Sequence, residues 1–173
     1  MKEQKYAQLA DFGRKLLNQK SLIDGLPLIS EYAKEVIKAD RCSIFIYDSA
    51  QNELWTTLSD GIEKIIVDST KGIVGQTLKE KKPLVVNDPY SNEHFLPDVD
   101  KESGYTTHNL ITAPIFNSKR QIIGILELLN KESGFDSDDM KFMIFFAHYV
   151  SGFLELTTLY LEEDKRKKRV WHR

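Results

Sequence analysis

Cysteine is almost missing from this chain. Cys42 is the only one in 173 residues, which excludes an internal disulfide and any multi-cysteine redox or metal centre, and it suits a reducing, cytoplasmic setting. Net charge is almost missing too. Lys and Arg number 24 against 26 Asp and Glu, leaving −2, so no overall field favours nucleic acid or an anionic membrane. No unbroken apolar run approaches the roughly 18 residues of a membrane span. The N-terminus, MKEQKYAQLADFGRK, is charged and amphipathic rather than a signal peptide. His94, His108, His148 and His172 form no metal-binding spacing. His94 with Glu93, Asp98 and Asp100 reads as a solvated loop before it reads as a chelate. No Ser-His-Asp or paired-carboxylate arrangement is readable, so neither a metal site nor an enzyme is expected.

What is present is enough chain for one domain with a real core. Tyr6, Leu9, Ala10, Gly13, Leu16 and Leu17 recur at helical spacing. Leu26, Ile29, Ala33, Val36 and Ile37 mark a second helix, with Asp24 as N-cap and Pro27 in the first turn. Strands follow at 42–47, 54–59 and 65–67, punctuated by Ser49-Ala50-Gln51-Asn52 and Asp60-Gly61. Gly72-Ile73-Val74-Gly75 opens a short helix, and 84–86 is a brief strand. The polar stretch 87–106, with Pro89, Pro97 and Gly104, has the length of a binding loop or lid. A long helix begins near Ser137 and reaches about Leu161. It carries one apolar stripe of Met140, Met143, Ile144, Ala147, Ser151 and Leu154, and another of Phe142, Phe146, Tyr149, Phe153, Leu156 and Tyr160. One stripe suits a sheet. The other needs the N-terminal helices, a second subunit, or both. The basic run Lys165-Arg166-Lys167-Lys168-Arg169 reads as the solvated end of the helix or the start of a connection to an effector domain.

The organising stretch is 107–139. Leu110 to Phe116 and Ile122 to Leu129 flank the polar break Asn117-Ser118-Lys119-Arg120, as in a β-hairpin. The second strand is apolar on both faces: Ile122, Leu126 and Leu128 on one, Ile123, Ile125 and Leu129 on the other. Such a strand lies centrally in a sheet covered on both sides. Glu127 interrupts the second of those faces, and a carboxylate there must be paired, hydrogen-bonded or at the wall of a pocket.

After the hairpin come Asn130, Lys131, Phe135 and Asp139. With that spacing the chain resembles a GAF domain, the small-molecule sensor module, and most of all the cyclic-nucleotide-binding branch found in phosphodiesterases and adenylate cyclases. Met140 departs from the branch, which has Glu there. The resemblance covers about 21–161 and implies an α+β fold. Its antiparallel six-stranded sheet has the N- and C-terminal helices on one face and a ligand pocket under loops on the other. The whole chain, 1–173, then reads as a single GAF domain, with an N-terminal helix over 1–20, the core over 21–161 and a basic tail over 162–173. The resemblance further implies that Lys131 and Asp139 pair outside the pocket as a structural tie.

The resemblance also implies a ligand-binding set: Ser43, Ser59, Asp60, Ile73, Val74, Ser103, Thr107 and Glu127. Ser43 and Asp60 match positions facing the base. Ile73 and Val74 match backbone amides at a helix start, Ser103 and Thr107 match hydroxyls on the lid and the fifth strand, and Glu127 matches an acid near the ribose and phosphate. The chemistry is coherent in itself. A helix start supplies free N–H groups and a positive dipole end for an anion, and hydroxyls and carboxylates suit the edge of a purine. Ser59 stands where an aromatic often stacks on the base, a loss of about 1–3 kcal/mol by analogy with single-strand binding. Phe45, Trp55, Phe95 and Tyr105 are the available replacements. Ser43 and Ser59 also fit ordinary strand positions, and Asp60 also fits a plain Asp-Gly turn. Thr107, on the neighbouring strand, is the expected hydrogen-bond partner of Glu127.

The expectation is a cytoplasmic, homodimeric regulatory sensor that binds a small molecule, with cAMP or cGMP first, and takes no cofactor. It would signal through a helical dimer interface to an effector domain or partner signalling protein, with no nucleic acid and no membrane involved. The alternative is a non-binding GAF dimerisation or scaffold module.

Overall fold

A computed structural model describes residues 2–57 and 64–171. Two helices, α1 (Lys2–Leu17) and α2 (Leu22–Ile37), precede strands β1 (Ala39–Asp48), β2 (Glu53–Thr57) and β3 (Lys64–Asp68). Helix α3 (Gly72–Glu80), strand β4 (Leu84–Val86), a 3-10 turn at Pro89–Ser91 and helix α4 (Pro97–Ser103) lead to β5 (Leu110–Phe116), β6 (Ile122–Lys131) and α5 (Ser137–Trp171). The six strands form one antiparallel sheet in the order β3-β2-β1-β6-β5-β4. Strand β6 is central, as its two apolar faces predict.

Helices α1, α2 and α5 cover one face of the sheet. Leu126 and Leu128 of β6, Ile44 and Ile46 of β1, and Ile111, Ala113 and Ile115 of β5 meet Leu26, Ile29 and Ala33 of α2 and Met143, Phe146, Ala147 and Val150 of α5 in the main core. Helix α3 lies on the other face. There Val74 and Leu78 pack on Phe45, Leu54 and Ile125, while Ile73 packs with Val86 and Leu110.

Local chemistry explains several ends. Ser21, not Asp24, caps α2: its hydroxyl accepts from the Asp24 amide at 3.2 Å and donates to the Asp24 carboxylate at 2.9 Å. Pro27 therefore stands inside the helix and beyond its first turn. Serine wins the cap because its short side chain reaches the third amide without strain. Helix α5 continues to Trp171, so the basic run lies on the helix rather than on a tail starting at 162. Over Ser137–Leu159 α5 is long and apolar enough, by length and composition, to cross a membrane. The count of unbroken apolar runs misses this because polar residues are interspersed. In the fold this segment is a core helix, with Met143, Phe146, Val150 and Leu154 fully buried.

Phe146 and Phe153 of the second stripe of α5 are taken by the N-terminal helices, Tyr149 and Leu156 keep exposed surface, and the Tyr160 side chain lies outside the described residues. Phe12 stacks on Tyr32 at 4.4 Å and lies 5.6 Å from Phe146. The Tyr149 hydroxyl donates to the Leu9 carbonyl at 3.0 Å. Phe153 is buried beside Gly25, where an added Cβ would come within 2.3 Å of the ring. Phe153 is therefore a packing residue rather than part of a free face, and the apolar surface left on α5 is rotated toward Phe145, Leu156 and Leu159.

Phe153→Asp should consequently unfold the protein rather than separate subunits. A stability loss of at least about 3 kcal/mol is expected, read by urea denaturation. A soluble variant of parental stability would contradict this packing.

Candidate functional site

Glu127 sits at the middle of β6, opposite Ser43 on β1 and Thr112 on β5. Along its own face it lies between Ile125 and Leu129, each of which belongs to or packs against one of the two small clusters under α3. Its surroundings supply little that is polar. The Thr112 hydroxyl is 2.6 Å from that of Thr77, which itself donates to the Ile73 carbonyl at 2.8 Å. The Thr77 proton is thus spent, so Thr112 donates to Thr77 and has none left for Glu127. Among the described residues neither Glu127 nor Ser43 has a hydrogen-bond or ionic partner. Glu127 keeps some solvent access, yet desolvation pushes its carboxyl up to about 7.

Thr107 is not the partner of Glu127. It precedes β5, and both its amide (2.8 Å) and its hydroxyl (2.9 Å) donate to the Asp100 carboxylate. The Tyr90 hydroxyl also donates to Asp100, at 2.7 Å. Desolvation would raise the Asp100 carboxyl, but the hydrogen bonds from Tyr90 and Thr107 and the nearby charge of Arg41 hold it below the ordinary range. Ser103 is exposed at the end of α4. Its hydroxyl donates to the Asp100 carbonyl and accepts from the Tyr105 amide, both at 3.3 Å. The hydroxyls expected to face a ligand are therefore engaged with the chain itself.

Ile73 and Val74 are the second and third residues of α3, which begins after Lys71 without a side-chain cap. The first intrahelical bond runs from the Gly75 amide to the Lys71 carbonyl at 3.1 Å, so the amides of Gly72, Ile73 and Val74 have no partner within the helix. Gly72 has φ +74, and a Cβ at Gly75 would meet the Thr70 carbonyl carbon at 2.8 Å. Both glycines are thus required by the tight entry to α3. Ser59 and Asp60 lie outside the described residues. Of the eight sequence-derived positions, Ser43, Glu127, Ile73 and Val74 belong to one face of the sheet and its α3 cover. Ser103 and Thr107 belong to the loop between β4 and β5.

The structural motif is built from amides and one ion pair. Lys131 donates to both carboxylate oxygens of Asp139 at 2.8 Å, and that pair is largely shielded from water. The Asn130 side chain accepts from the His108 amide at 2.6 Å and donates to the Tyr105 hydroxyl and the Thr106 carbonyl at 2.9 and 2.8 Å. Asn87 brackets the buried Phe135, accepting from its amide at 3.0 Å and donating to its carbonyl at 3.1 Å.

Sequence reasoning missed Tyr90, Arg41, Asn87 and Asn109, and it read Asp100 as part of a solvated loop, whereas Asp100 is buried and hydrogen-bonded. Asp100 lies in a polar stretch where no periodicity separates a buried carboxylate from a solvated one. The readable signal was the pairing of Pro97, a helix start, with a carboxylate one turn later. Cys42 lies among the helix-side residues, and burial pushes its thiol up to about 12, which suits an inert packing role. Among the described residues no group of three or more His, Cys, Asp and Glu is placed to hold a metal.

A hollow of about 780 Å³ opens elsewhere, around the β1–β2 and β5–β6 turns, lined by Trp55, Lys119, Arg120 and Glu155 among others. None of the described candidate residues lines it. Its size alone carries less weight than the uncompensated carboxyl of Glu127.

The pH dependence of Glu127 follows from its raised pKa. The folded state holds the proton more tightly than the unfolded chain, so its stabilising contribution is full below about 4.5 and lost as pH rises through about 7. The loss is at most about 3 kcal/mol, less where water reaches the carboxyl. Glu127→Gln should flatten the decline in stability between pH 5 and 8 by roughly that amount, measured by chemical denaturation across pH. An unchanged slope would place the carboxyl in ordinary solvent.

The comparisons with known proteins agree with this architecture. The family model of the GAF domain matches residues 21–153. A probable 3',5'-cyclic phosphodiesterase of Caenorhabditis elegans is 27% identical over 180 residues, covering 94% of this chain and 25% of its own length. A dual 3',5'-cyclic-AMP and -GMP phosphodiesterase 11A of Takifugu rubripes is 30% identical over 122 residues, covering 61% of this chain and 14% of its own. This chain thus spans a quarter or less of those relatives. Among solved structures, the GAF domain of an Acinetobacter phosphoenolpyruvate-protein phosphotransferase superposes with TM-score 0.76 at 18% identity, covering 92% of this chain and 97% of that one. A free methionine-R-sulfoxide reductase of Neisseria meningitidis, solved with its substrate, superposes with TM-score 0.70 at 16% identity, covering 88% and 89%. The chain belongs to the GAF domain family of regulatory small-molecule sensor modules.

Proposed function

We propose that this domain binds a small molecule, a cyclic nucleotide first among them, on the sheet face beneath α3 and the 87–107 loop, and signals through a helical dimer interface. The observation that carries the reading is Glu127, a carboxyl between two apolar clusters and directly opposite the Ser43 hydroxyl, both groups without a partner among the described residues. Retaining a desolvated acid in a central strand costs stability, and a ligand that hydrogen-bonds to it offsets that cost. The uncapped start of α3 adds amides suited to a phosphodiester anion. Both phosphodiesterase relatives, named for cyclic nucleotides, favour this ligand class.

The output surface is supported by what remains exposed. Phe145 (49%), Tyr149 (38%), Leu156 (67%) and Leu159 (56%) recur on α5 with Gly152 at spacings of four and three. Tyr6 and Leu17 of α1 are exposed as well. Such a seam fits a second helical pair. A homodimer in a reducing, cytoplasmic setting, passing ligand binding to an effector, belongs to the same proposal. The role is regulatory rather than catalytic. The alternative, a dimerisation module without ligand, draws support from the engagement of Ser103 and Thr107 with Asp100.

A thermal-shift panel of cyclic nucleotides, followed by calorimetric titration, tests the ligand. Glu127→Gln should change affinity by about 1 kcal/mol or more, the scale of a hydrogen bond to a charged group. No shift with any nucleotide would favour the dimerisation module. For the output, Phe145→Glu with Leu156→Glu should give monomers in sedimentation while leaving the melting temperature near that of the parent. A parent already monomeric at high concentration would remove the interface.

A further inference from the structure

Polar ties hold the 87–107 loop at several points. Asp100 is the hub. Its carboxylate takes the Tyr90 hydroxyl, the Thr107 amide and the Thr107 hydroxyl, all within 2.9 Å. It joins the 3-10 turn, α4 and the approach to β5. Tyr105 makes a second clasp. The Arg41 guanidinium lies 3.7 Å over its ring, its hydroxyl donates to Asp40 at 2.8 Å, and Asn130 donates to that hydroxyl. Arg41 and Asp40 belong to the start of β1, so the loop is anchored to the strand that carries Ser43. Leu96 and Val99 of the loop are exposed, while Phe95 packs beside Tyr90 and on the cluster of Ile73, Val86 and Leu110, so polar ties and burial hold the loop together.

We propose that Asp100 is a positioning residue that latches the α4 lid shut and competes with the ligand for Thr107, so that ligand entry waits on release of the latch. This rests on the reading of the face beneath α3 as a ligand site. Thr107 has one hydroxyl proton and one amide proton, and Asp100 takes both. A ligand group that uses either must displace the carboxylate. A lid that opens rarely also limits association, because the apparent on-rate is scaled by the open fraction.

Hydrogen exchange resolved by mass spectrometry tests the latch on the intact chain. In Asp100→Ala, peptides across 87–107 should exchange at least tenfold faster, while β1, β6 and α2 keep the protection of the parent. Thr107→Ser, which keeps the hydroxyl, should resemble the parent, and Thr107→Val should shift part of the way. Unchanged lid protection in Asp100→Ala overturns the proposal. So does a rise spread equally over β6 and α2, which would mean that Asp100 merely holds the fold. Stopped-flow association with cGMP and cAMP gives the second arm. The parent rate should level off with nucleotide concentration, and Asp100→Ala should remove the plateau. Linear, identical rates in both proteins overturn the gating role. If neither nucleotide binds the parent, the cyclic-nucleotide reading fails, and the exchange data still decide whether Asp100 is a latch.

Discussion

Strand β6 is covered on both faces, and most of the molecule follows from that constraint. Its helix-side residues, Leu126 and Leu128, demand the cover that α2 and α5 supply. Its other side, Ile125 and Leu129, draws α3 onto the sheet. A strand apolar on both faces can leave neither to water, so the chain returns helices to both sides. Within this strand Glu127 is the residue that burial does not reward. The strand pairs on both sides regardless, because backbone hydrogen bonds to β1 and β5 do not depend on the side chain. The scaffold therefore does not depend on the Glu127 side chain.

Asparagine does much of the work of ordering the loops around that scaffold. Asn87 pairs with the Phe135 peptide as a neighbouring strand would, accepting its N–H and donating to its C=O. Asn109 does the same for Lys131, at 2.8 and 2.9 Å. Asn130, itself at φ +59, gathers the segment leading into β5. The amide side chain carries a donor and an acceptor in peptide geometry, so it satisfies backbone groups that no ladder reaches. The Lys131–Asp139 pair then ties the end of β6 to the first turn of α5. Since Asp139 also accepts from the Asp136 amide at 2.9 Å, that carboxylate serves as an anchor and a helix-start ligand together.

The 87–107 loop shows how polar ties hold a short helix in place. Helix α4 has seven residues, too few to be stable alone. Asp100 and Tyr105 hold it against β1 and the start of β5 at the cost of hydroxyls that the sequence offered to a ligand.

The sequence by itself determined the hairpin of β5 and β6, the centrality of β6, the oddity of Glu127 and the long final helix. Each rests on periodicity or on a charge out of place, both of which are local properties of the chain. The spacing of Asn130, Lys131, Phe135 and Asp139 likewise pointed to the family. Other features were decided only by the tertiary structure. Asp24 lost the cap of α2 to Ser21 because reach, not composition, selects a cap. Phe153 was taken by α2 and the Tyr149 hydroxyl by α1, while the Tyr149 ring stays partly exposed, since a helical stripe does not say which neighbour covers it. Thr107 paired with Asp100 rather than with Glu127. A hydrogen bond is set by the ångström-scale position of both partners, and residues seven apart in an irregular loop have no period from which that position can be read.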